Sequence, residues 1–154
     1  MSLVRTLVKR GKFNKWFSRK AAQTTTEVYQ SSFGNGVSRR AVRILAISHV
    51  FWIEDSGKTA AAMMLGMKDA VPVYRIEGLA VDPEYRRQGY ATSLLESVDR
   101  FVGPGATVWL CVDKGQPSTE WLVHWYRRMG FELAYQDDRL PHRNDEIPMR
   151  KLIK

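Results

Sequence analysis

The sequence predicts an α+β sandwich built around one mixed, mainly antiparallel sheet. A turn signal at residues 54–58 lies between two strand-like runs, which is the pattern of a β-hairpin. The apolar run 106–112 is typical of a strand buried on both faces. Apolar residues at helical spacing over 91–102 predict an amphipathic helix. A length of 154 residues suits one domain with a sizeable core, so we expect a single domain over residues 1–154.

The first twenty residues are strongly basic. The chain has a net charge of +8, and its other 17 Lys and Arg nearly balance its 16 Asp and Glu. The excess therefore lies in a basic arm at residues 1–20, while the body is close to neutral. The arm holds seven cations and no acid: Arg5, Lys9, Arg10, Lys12, Lys15, Arg19 and Lys20.

Three interpretations of this basic arm remain open. It forms a first strand at residues 3–8 and a first helix at 13–20, with a solvated basic face. Alternatively, it is an amphipathic segment that meets nucleic acid, an acidic partner or an anionic membrane. The third interpretation is an organellar transit peptide. A secretory signal is excluded by the missing apolar core and cleavage site.

The remaining elements are predicted from residues that end helices and strands and from the spacing of apolar residues. Residues 21–43 are polar and partly helical. Strands are predicted at 49–53, 59–67, 74–81, 106–112, 131–135 and 146–153. The central helix ends at Gly103-Pro104-Gly105. A second helix begins at a cap supplied by Ser118 or Thr119, runs to Met129, and is ended by Gly130.

Composition narrows the class of protein. A hydrophobic content of 44% and a charged content of 26% are typical of a soluble globular chain. No apolar run approaches the length of a transmembrane segment. The lone Cys111 excludes an internal disulfide framework and favours a cytoplasmic location, and we expect it to be a core strand residue. His49 and His142 have no partner at ligand spacing, and His124 lies off the apolar stripe, so we expect no metal site.

The segment after the third predicted strand is suited to holding a phosphate. Here the chain reads Arg86-Arg87-Gln88-Gly89-Tyr90-Ala91 and then enters the central helix. The first N–H groups of a helix lack partners, and a glycine turn can aim them at one anion. The dinucleotide motif GxGxxG is absent. Gly57-Lys58-Thr59 lacks the first glycine of a P-loop, because Trp52 occupies its place, so we interpret it as a hairpin turn.

The pattern Arg86-x-x-Gly89-x-Ala91, preceded by Val-Asp-Pro-Glu-Tyr, resembles the acyl-CoA pyrophosphate loop of the GNAT superfamily of N-acetyltransferases. The later phrase Trp-Tyr-Arg-Arg-Met-Gly-Phe at 125–131 and the closing 147–152 segment are similar to two further family phrases. The resemblance covers roughly residues 49–154. It implies a GNAT-like three-layer sandwich, in which helices flank a twisted sheet of six to seven strands.

The resemblance also implies an activity. A GNAT enzyme moves an acetyl group from acetyl-CoA to a primary amine acceptor, a small molecule or a protein, by direct transfer through a ternary complex without a metal. Homodimers are common in such folds. Backbone amides along Leu79, Ala80 and Val81 would bind the pantetheine arm or the thioester carbonyl. Thr119 stands where the family often has Asn. The pyrophosphate would be held by the residues of the loop: Arg86, Arg87, Gln88, Gly89, Tyr90 and Ala91.

Two residues are candidates for catalysis. Tyr126 matches the family tyrosine that protonates the leaving thiolate, and a phenol with a pKa near ~10 suits that role. Its alternative is a core aromatic, because it shares an apolar stripe with Leu122 and Trp125. Glu77 lies where some family members place a base that acts through water. Its alternative is an exposed strand residue paired with an arginine.

A rival function belongs to a different class. The chain could be a GNAT-fold interaction protein that contacts an acidic macromolecular partner through residues 1–20 and has no catalytic activity. The concentration of the net charge in that arm motivates this hypothesis.

Overall fold

The computed structural model describes residues 8–12, 49–67 and 72–154 of the chain. Within these ranges it contains seven strands and two α-helices. The helices are α1 at Tyr90–Val102 and α2 at Thr119–Arg128, and a 3-10 turn covers Pro83–Tyr85. The strands are β1 Val8–Lys12, β2 His49–Asp55, β3 Lys58–Met67, β4 Val73–Val81, β5 Thr107–Asp113, β6 Glu132–Leu133 and β7 Glu146–Leu152.

The strands form a mixed sheet with the order β1-β2-β3-β4-β5-β7-β6. Strands β4 and β5 run parallel, whereas the pairs β1–β2, β2–β3, β5–β7 and β6–β7 are antiparallel. This confirms the predicted α+β fold with a mainly antiparallel sheet. The described residues cluster into two compact units. The first unit contains 8–12, 49–66 and 76–101, and the second contains 67, 72–75 and 102–154.

The core of the first unit is built on the β2–β3 hairpin. Trp52 and Ile53 of β2 lie opposite Ala62 and Ala61 of β3 in the strand register, and all four are buried. Alanine is a poor strand former, but small residues on β3 accommodate bulky side chains on β2. The predicted turn is confirmed, because the connecting residues are Ser56 and Gly57, both with positive φ.

Helix α1 buries the face that its periodicity predicts. Leu94, Leu95 and Val98 are buried, and Val98 is 0% exposed. At the end of the helix, the Phe101 ring lies 5.6 Å from the Phe51 ring, centroid to centroid, in an edge-to-face contact. The helix is therefore fixed to β2 within the first unit.

The second unit is organised around β5. Residues 107–110 of this strand are buried, as the continuous apolar run predicts. Three parallel pairs join β5 to Val73–Arg75 of β4, and seven antiparallel pairs join it to β7. Helix α2 ends at Arg128 with Met129 as its C-cap, and Gly130 follows with φ +96, at the position predicted for the glycine that ends the helix.

Two strand predictions differ from the structure in their limits. Strand β1 continues to Lys12, past the end of the strand predicted at 3–8, because its pairing with β2 extends that far, and residues 3–7 lie outside the described residues. The strand predicted at 131–135 shrinks to Glu132–Leu133. Ala134 still donates its N–H to the carbonyl of Pro148 at 2.9 Å, but Pro148 has no N–H to return, so the ladder ends. The predicted helix at 13–20 and the helical part of 21–43 lie outside the described residues.

An ion-pair network fixes the loop before β7. The Asp137 side chain is 5% exposed and accepts hydrogen bonds from Arg139 at 2.8 Å and from Arg150 at 2.7 Å. Arg150 also pairs with Glu132 at 3.0 Å. The hydrogen bonds from Arg139, and then those from Arg150, hold the pKa of the Asp137 carboxyl well below its usual range, although burial opposes them.

We expect this ion-pair network to make the free energy of unfolding depend on pH in the acidic range. Because the folded-state pKa of Asp137 is depressed, its contribution is present above the unfolded-state value and is lost as the pH falls from about 4 towards the folded value. Asp137→Asn should lower the free energy of unfolding by about 1–2 kcal/mol at pH 7, discounted for the half-exposed arginines. The same substitution should flatten the acid limb of stability between about pH 4 and pH 2.

Urea unfolding at several pH values measures both effects. The matched control is Asp138→Asn, since Asp138 is the exposed neighbour on the same loop. Equal unfolding free energies for the two variants at pH 7 would show that the network contributes nothing.

Candidate functional site

Strand β4 does not alternate regularly between buried and exposed residues. Val73, Ile76 and Ala80 are buried, whereas regular alternation would bury every second residue. Gly78 has φ +59, a left-handed conformation that interrupts the pleat. The sequence contains a signal of this interruption, a glycine inside a strand pattern, which the uninterrupted strand predicted at 74–81 does not take into account. As a result, Glu77 and Leu79 are both partly exposed.

The chain leaves β4 through a compact turn. The Asp82 carboxylate accepts the Glu84 N–H at 2.9 Å, and the Asp82 carbonyl accepts the Tyr85 N–H at 2.9 Å. The Asp82 N–H in turn donates to the carbonyl of Ala60 on β3 at 2.8 Å. The Asp-Pro-Glu-Tyr phrase is therefore a capped 3-10 turn fixed to the hairpin, with Pro83 at its first position.

The four residues 86–89, which we call the anion loop, are exposed. Arg87 has φ +63 and Gly89 has φ +77, so two of the four adopt a left-handed conformation. The strain is larger at Arg87, because only glycine reaches this region without steric cost. The Arg86 Nε donates to the Val81 carbonyl at 3.3 Å. A side chain added at Gly89 would meet no atom within 4 Å, so the space beside the loop is open.

The first turn of α1 presents unsatisfied N–H groups at this loop. The first helical hydrogen bond runs from the Ser93 N–H to the Gly89 carbonyl at 3.0 Å. Among the described residues, none accepts from the N–H groups of Gly89, Tyr90 or Ala91. The first turn contains no acidic residue. Open N–H groups, the positive helix end and nearby arginines together fit an anionic group such as a diphosphate.

The side chain of Tyr90 has a partner that the sequence did not predict. Its hydroxyl donates to the carboxylate of Asp55, at the end of β2, at 2.5 Å. This bond, with some burial, raises the pKa of Tyr90 to about 12, and it lowers the pKa of Asp55. The two residues are 35 positions apart in sequence, and no local pattern indicates such a contact.

In the second unit, Tyr126 is the buried residue of α2, with 7% exposure. Its ring centroid lies 4.9 Å from that of Trp125 and 5.6 Å from that of Phe131, both edge-to-face. Burial raises the pKa of the Tyr126 phenol well above its usual value. The phenol is therefore protonated at neutral pH.

The loop before α2 uses the hydroxyl of Thr119. This hydroxyl donates to the Asp113 carbonyl at 2.7 Å and accepts from the Gln116 N–H at 3.0 Å. Ser118 occupies the cap position but makes no capping hydrogen bond through its side chain. The predicted side-chain cap is therefore wrong, because the hydroxyl of Thr119 satisfies the loop backbone that precedes the helix.

The other candidate residues have ordinary environments. His124 is exposed on α2. Cys111 is partly buried in β5, and burial raises the pKa of its thiol to about 11, which suits a strand residue better than a nucleophile. Within the described ranges, no group of three His, Cys, Asp or Glu side chains could hold a metal ion. No helix there has the length and apolar character needed to cross a membrane.

Comparisons with known proteins bear on the family of this chain. The family model "Acetyltransferase (GNAT) domain" matches residues 46–133, which is more than half of the chain. This span includes β4, the anion loop, both helices and Tyr126. No curated protein matches the chain in sequence.

Several solved structures share the fold. The ribosomal-protein-S18-alanine N-acetyltransferase from Escherichia coli is similar over 96% of this chain and 95% of its own, with a TM-score of 0.71 and 20% identity. An aminoglycoside 6'-N-acetyltransferase complexed with coenzyme A is similar over 96% and 97%, with a TM-score of 0.77 and 14% identity. A GNAT family acetyltransferase from Elizabethkingia anophelis with acetyl-CoA bound is similar over 94% and 97%, with a TM-score of 0.67 and 12% identity. At these identities the structures show the common fold, and together with the family model they establish that this chain belongs to the GNAT acetyltransferase family.

Proposed function

We propose that this protein is an N-acetyltransferase that moves an acetyl group from acetyl-CoA to a primary amine, by direct transfer within a ternary complex. The observation that carries the proposal is the open N-terminus of α1 behind the anion loop, within a chain of the GNAT family. Two structurally similar family members were solved with coenzyme A or acetyl-CoA. The half-buried thiol of Cys111 suits the reducing cytoplasm.

The anion loop would hold the diphosphate of the cofactor. The N–H groups of Arg87, Gln88, Gly89, Tyr90 and Ala91 would donate to its oxygens, and the helix end adds positive potential. The exposed guanidinium of Arg86 is held beside the loop by its bond to the Val81 carbonyl at 3.3 Å. These contacts bind ground state and transition state alike, so they would set affinity for acetyl-CoA more than the rate of transfer.

The pantetheine arm would lie along β4. Backbone amides of Leu79, Ala80 and Val81 would bind the arm or polarise the thioester carbonyl, where negative charge develops during transfer. The left-handed conformation of Gly78 re-aims this part of the strand. Thr119 would contribute through its loop, which its two hydrogen bonds hold in place.

The transfer itself requires two proton movements. The neutral amine attacks the acetyl carbonyl carbon, the C–N bond forms and the C–S bond breaks. Glu77, acting through water, would accept the proton that the amine loses. Tyr126 would donate its phenolic proton to the leaving thiolate. The phenol holds its proton at neutral pH, as a general acid must before transfer. Burial raises its pKa and so makes it a weaker acid, so the negative charge that develops on the sulfur would have to draw the proton across.

We expect Gly89→Ala to weaken coenzyme A binding about tenfold or more, because the new side chain disfavours the left-handed conformation and redirects the loop amides. Isothermal titration calorimetry with acetyl-CoA measures the effect. The matched control is Gly103→Ala, since Gly103 has φ +76 and also meets no atom within 4 Å. Both variants should lose about 1 kcal/mol of stability, but only Gly89→Ala should lose affinity. Unchanged affinity in a folded Gly89→Ala protein would remove the loop from the cofactor site.

We expect Tyr126→Phe to lower kcat about a hundredfold, because the ring packing stays and only the proton donor is lost. The dissociation constant of coenzyme A should stay within about twofold, since the phenol is assigned to the chemical step. Release of the coenzyme A thiol in the presence of a panel of primary amines measures kcat. Tyr135→Phe is the control, because Tyr135 is exposed on a loop without a proposed role. An unchanged kcat would contradict the assignment.

The second candidate function is an interaction protein that binds an acidic partner through the basic arm. The net charge of +8 favours it, because the excess lies in residues 1–20. The structure changes how this hypothesis is tested. Strand β1 at Val8–Lys12 pairs with β2, so deletion of residues 1–20 would remove a strand as well as the charge.

Substitution separates the two functions. Changing Arg5, Lys15, Arg19 and Lys20 together to Gln leaves β1 intact. We expect the variant to keep its affinity for acetyl-CoA within about twofold, and to lose about tenfold in affinity for a labelled poly-glutamate peptide at low salt, because the positive charges of the arm would supply that binding. If acetyl transfer is absent in the wild-type protein while peptide binding is tight and depends on the arm, the interaction function replaces the enzymatic one.

A further inference from the structure

The anion loop is attached to the β2–β3 hairpin on both sides. After the loop, Tyr90 is the first residue of α1, and its hydroxyl donates to Asp55 at 2.5 Å. Before the loop, the Lys58 ammonium pairs with Glu84 at 3.0 Å and lies 5.2 Å from the centroid of the Tyr85 ring. Asp55 and Lys58 flank the two-residue turn of the hairpin. The two residues that flank the hairpin turn therefore contact residues on both sides of the anion loop.

The loop between these two attachments has an unfavourable backbone. Arg87 is a non-glycine residue with φ +63, and Gly89 has φ +77. Such conformations persist only where the surroundings impose them. The loop itself is exposed, and its N–H groups make few contacts with the described residues that could do so. Within the described part of the chain, the flanking residues supply the contacts that can impose this backbone.

We propose that the β2–β3 hairpin holds the anion loop in its binding conformation, with Asp55 and the Tyr90 side chain as positioning residues for the cofactor diphosphate. The inference rests on the proposed function and adds to it, because the Tyr90 hydroxyl acts through the backbone and has no assigned contact with the ligand. A loop ordered before the ligand arrives loses less conformational freedom on binding, which raises affinity.

The two attachments differ in strength. Lys58 and Glu84 have side chains that are 42% and 74% exposed, and an ion pair of this kind contributes little in water. The Tyr90–Asp55 bond is shorter, partly buried and charge-assisted. We therefore assign the positioning mainly to Tyr90 and Asp55, with Lys58 in a minor role.

The test measures the dissociation constant of coenzyme A by calorimetry in matched variants. Tyr90→Phe keeps the ring and should weaken binding about three- to tenfold, and Asp55→Ala should do the same. The double variant should be no weaker than either single one, because both remove the same bond. Lys58→Gln should change affinity less than about twofold, and Tyr135→Phe serves as the unrelated hydroxyl deletion. Additive losses in the double variant would overturn the proposal.

A second readout separates positioning from a general loss of structure. Acetyl-pantetheine is a donor that lacks the diphosphate, so Asp55→Ala should raise KM for acetyl-CoA and leave KM for acetyl-pantetheine unchanged. The kcat at saturating acetyl-CoA should stay within about twofold. If KM rises equally for both donors, the Asp55–Tyr90 bond is structural and the proposal fails.

Failure of this positioning proposal can be distinguished from failure of the proposed function. If the wild-type protein binds no coenzyme A, the proposed function fails, and hydrogen exchange of the Ser93 amide then tests the attachment. This amide donates to the Gly89 carbonyl at the start of α1. Faster exchange in Tyr90→Phe than in Tyr135→Phe supports the positioning role, and equal exchange overturns it.

Discussion

The first N–H groups of an α-helix have no acceptor within the helix, and the candidate site depends on what these groups of α1 can bind instead. In most proteins a side-chain cap or water accepts these hydrogen bonds. Here no side chain among the described residues accepts from these N–H groups, and the first turn carries no acid. The helix therefore begins with open N–H groups of the kind that suit an anion, and a loop with two left-handed residues leads into them. The rest of the first unit keeps that loop in place.

The β2–β3 hairpin can hold the anion loop because its own strands are paired and most of its residues are buried. Trp52 and Ile53 of β2 lie opposite two alanines of β3, and all of residues 59–65 are buried. A hydrogen bond from the Asp82 N–H to the Ala60 carbonyl joins the turn after β4 to strand β3 of the hairpin. Asp55 and Lys58 then extend from the end of this packed hairpin to the two flanks of the anion loop. A loop with strained dihedrals is thus supported by an element whose own conformation is well determined.

The sequence predicts the elements better than the contacts between them. Periodicity located α1, β5 and the hairpin, because each carries its own apolar pattern or turn residues. It failed at β6, where the limit is set by Pro148 on another strand, and at the end of β1, which continues to Lys12 because it pairs with β2 up to that residue. At the site, the glycine and the helix start were visible in the sequence. The Asp55–Tyr90 hydrogen bond was not visible, because no sequence pattern links two polar residues that lie 35 positions apart.

Tyr126 shows why a structural and a catalytic interpretation of one residue need not compete. Its ring packs edge-to-face against Trp125 and Phe131, as expected of a core aromatic. That packing excludes water, and the same desolvation raises the pKa of the phenol. Burial thus fixes the ring in place, but it also makes the phenol a weaker acid, because a higher pKa opposes release of the proton. The proposed acid role uses the fixed position of the donor, and the transfer then depends on the negative charge that develops on the leaving sulfur.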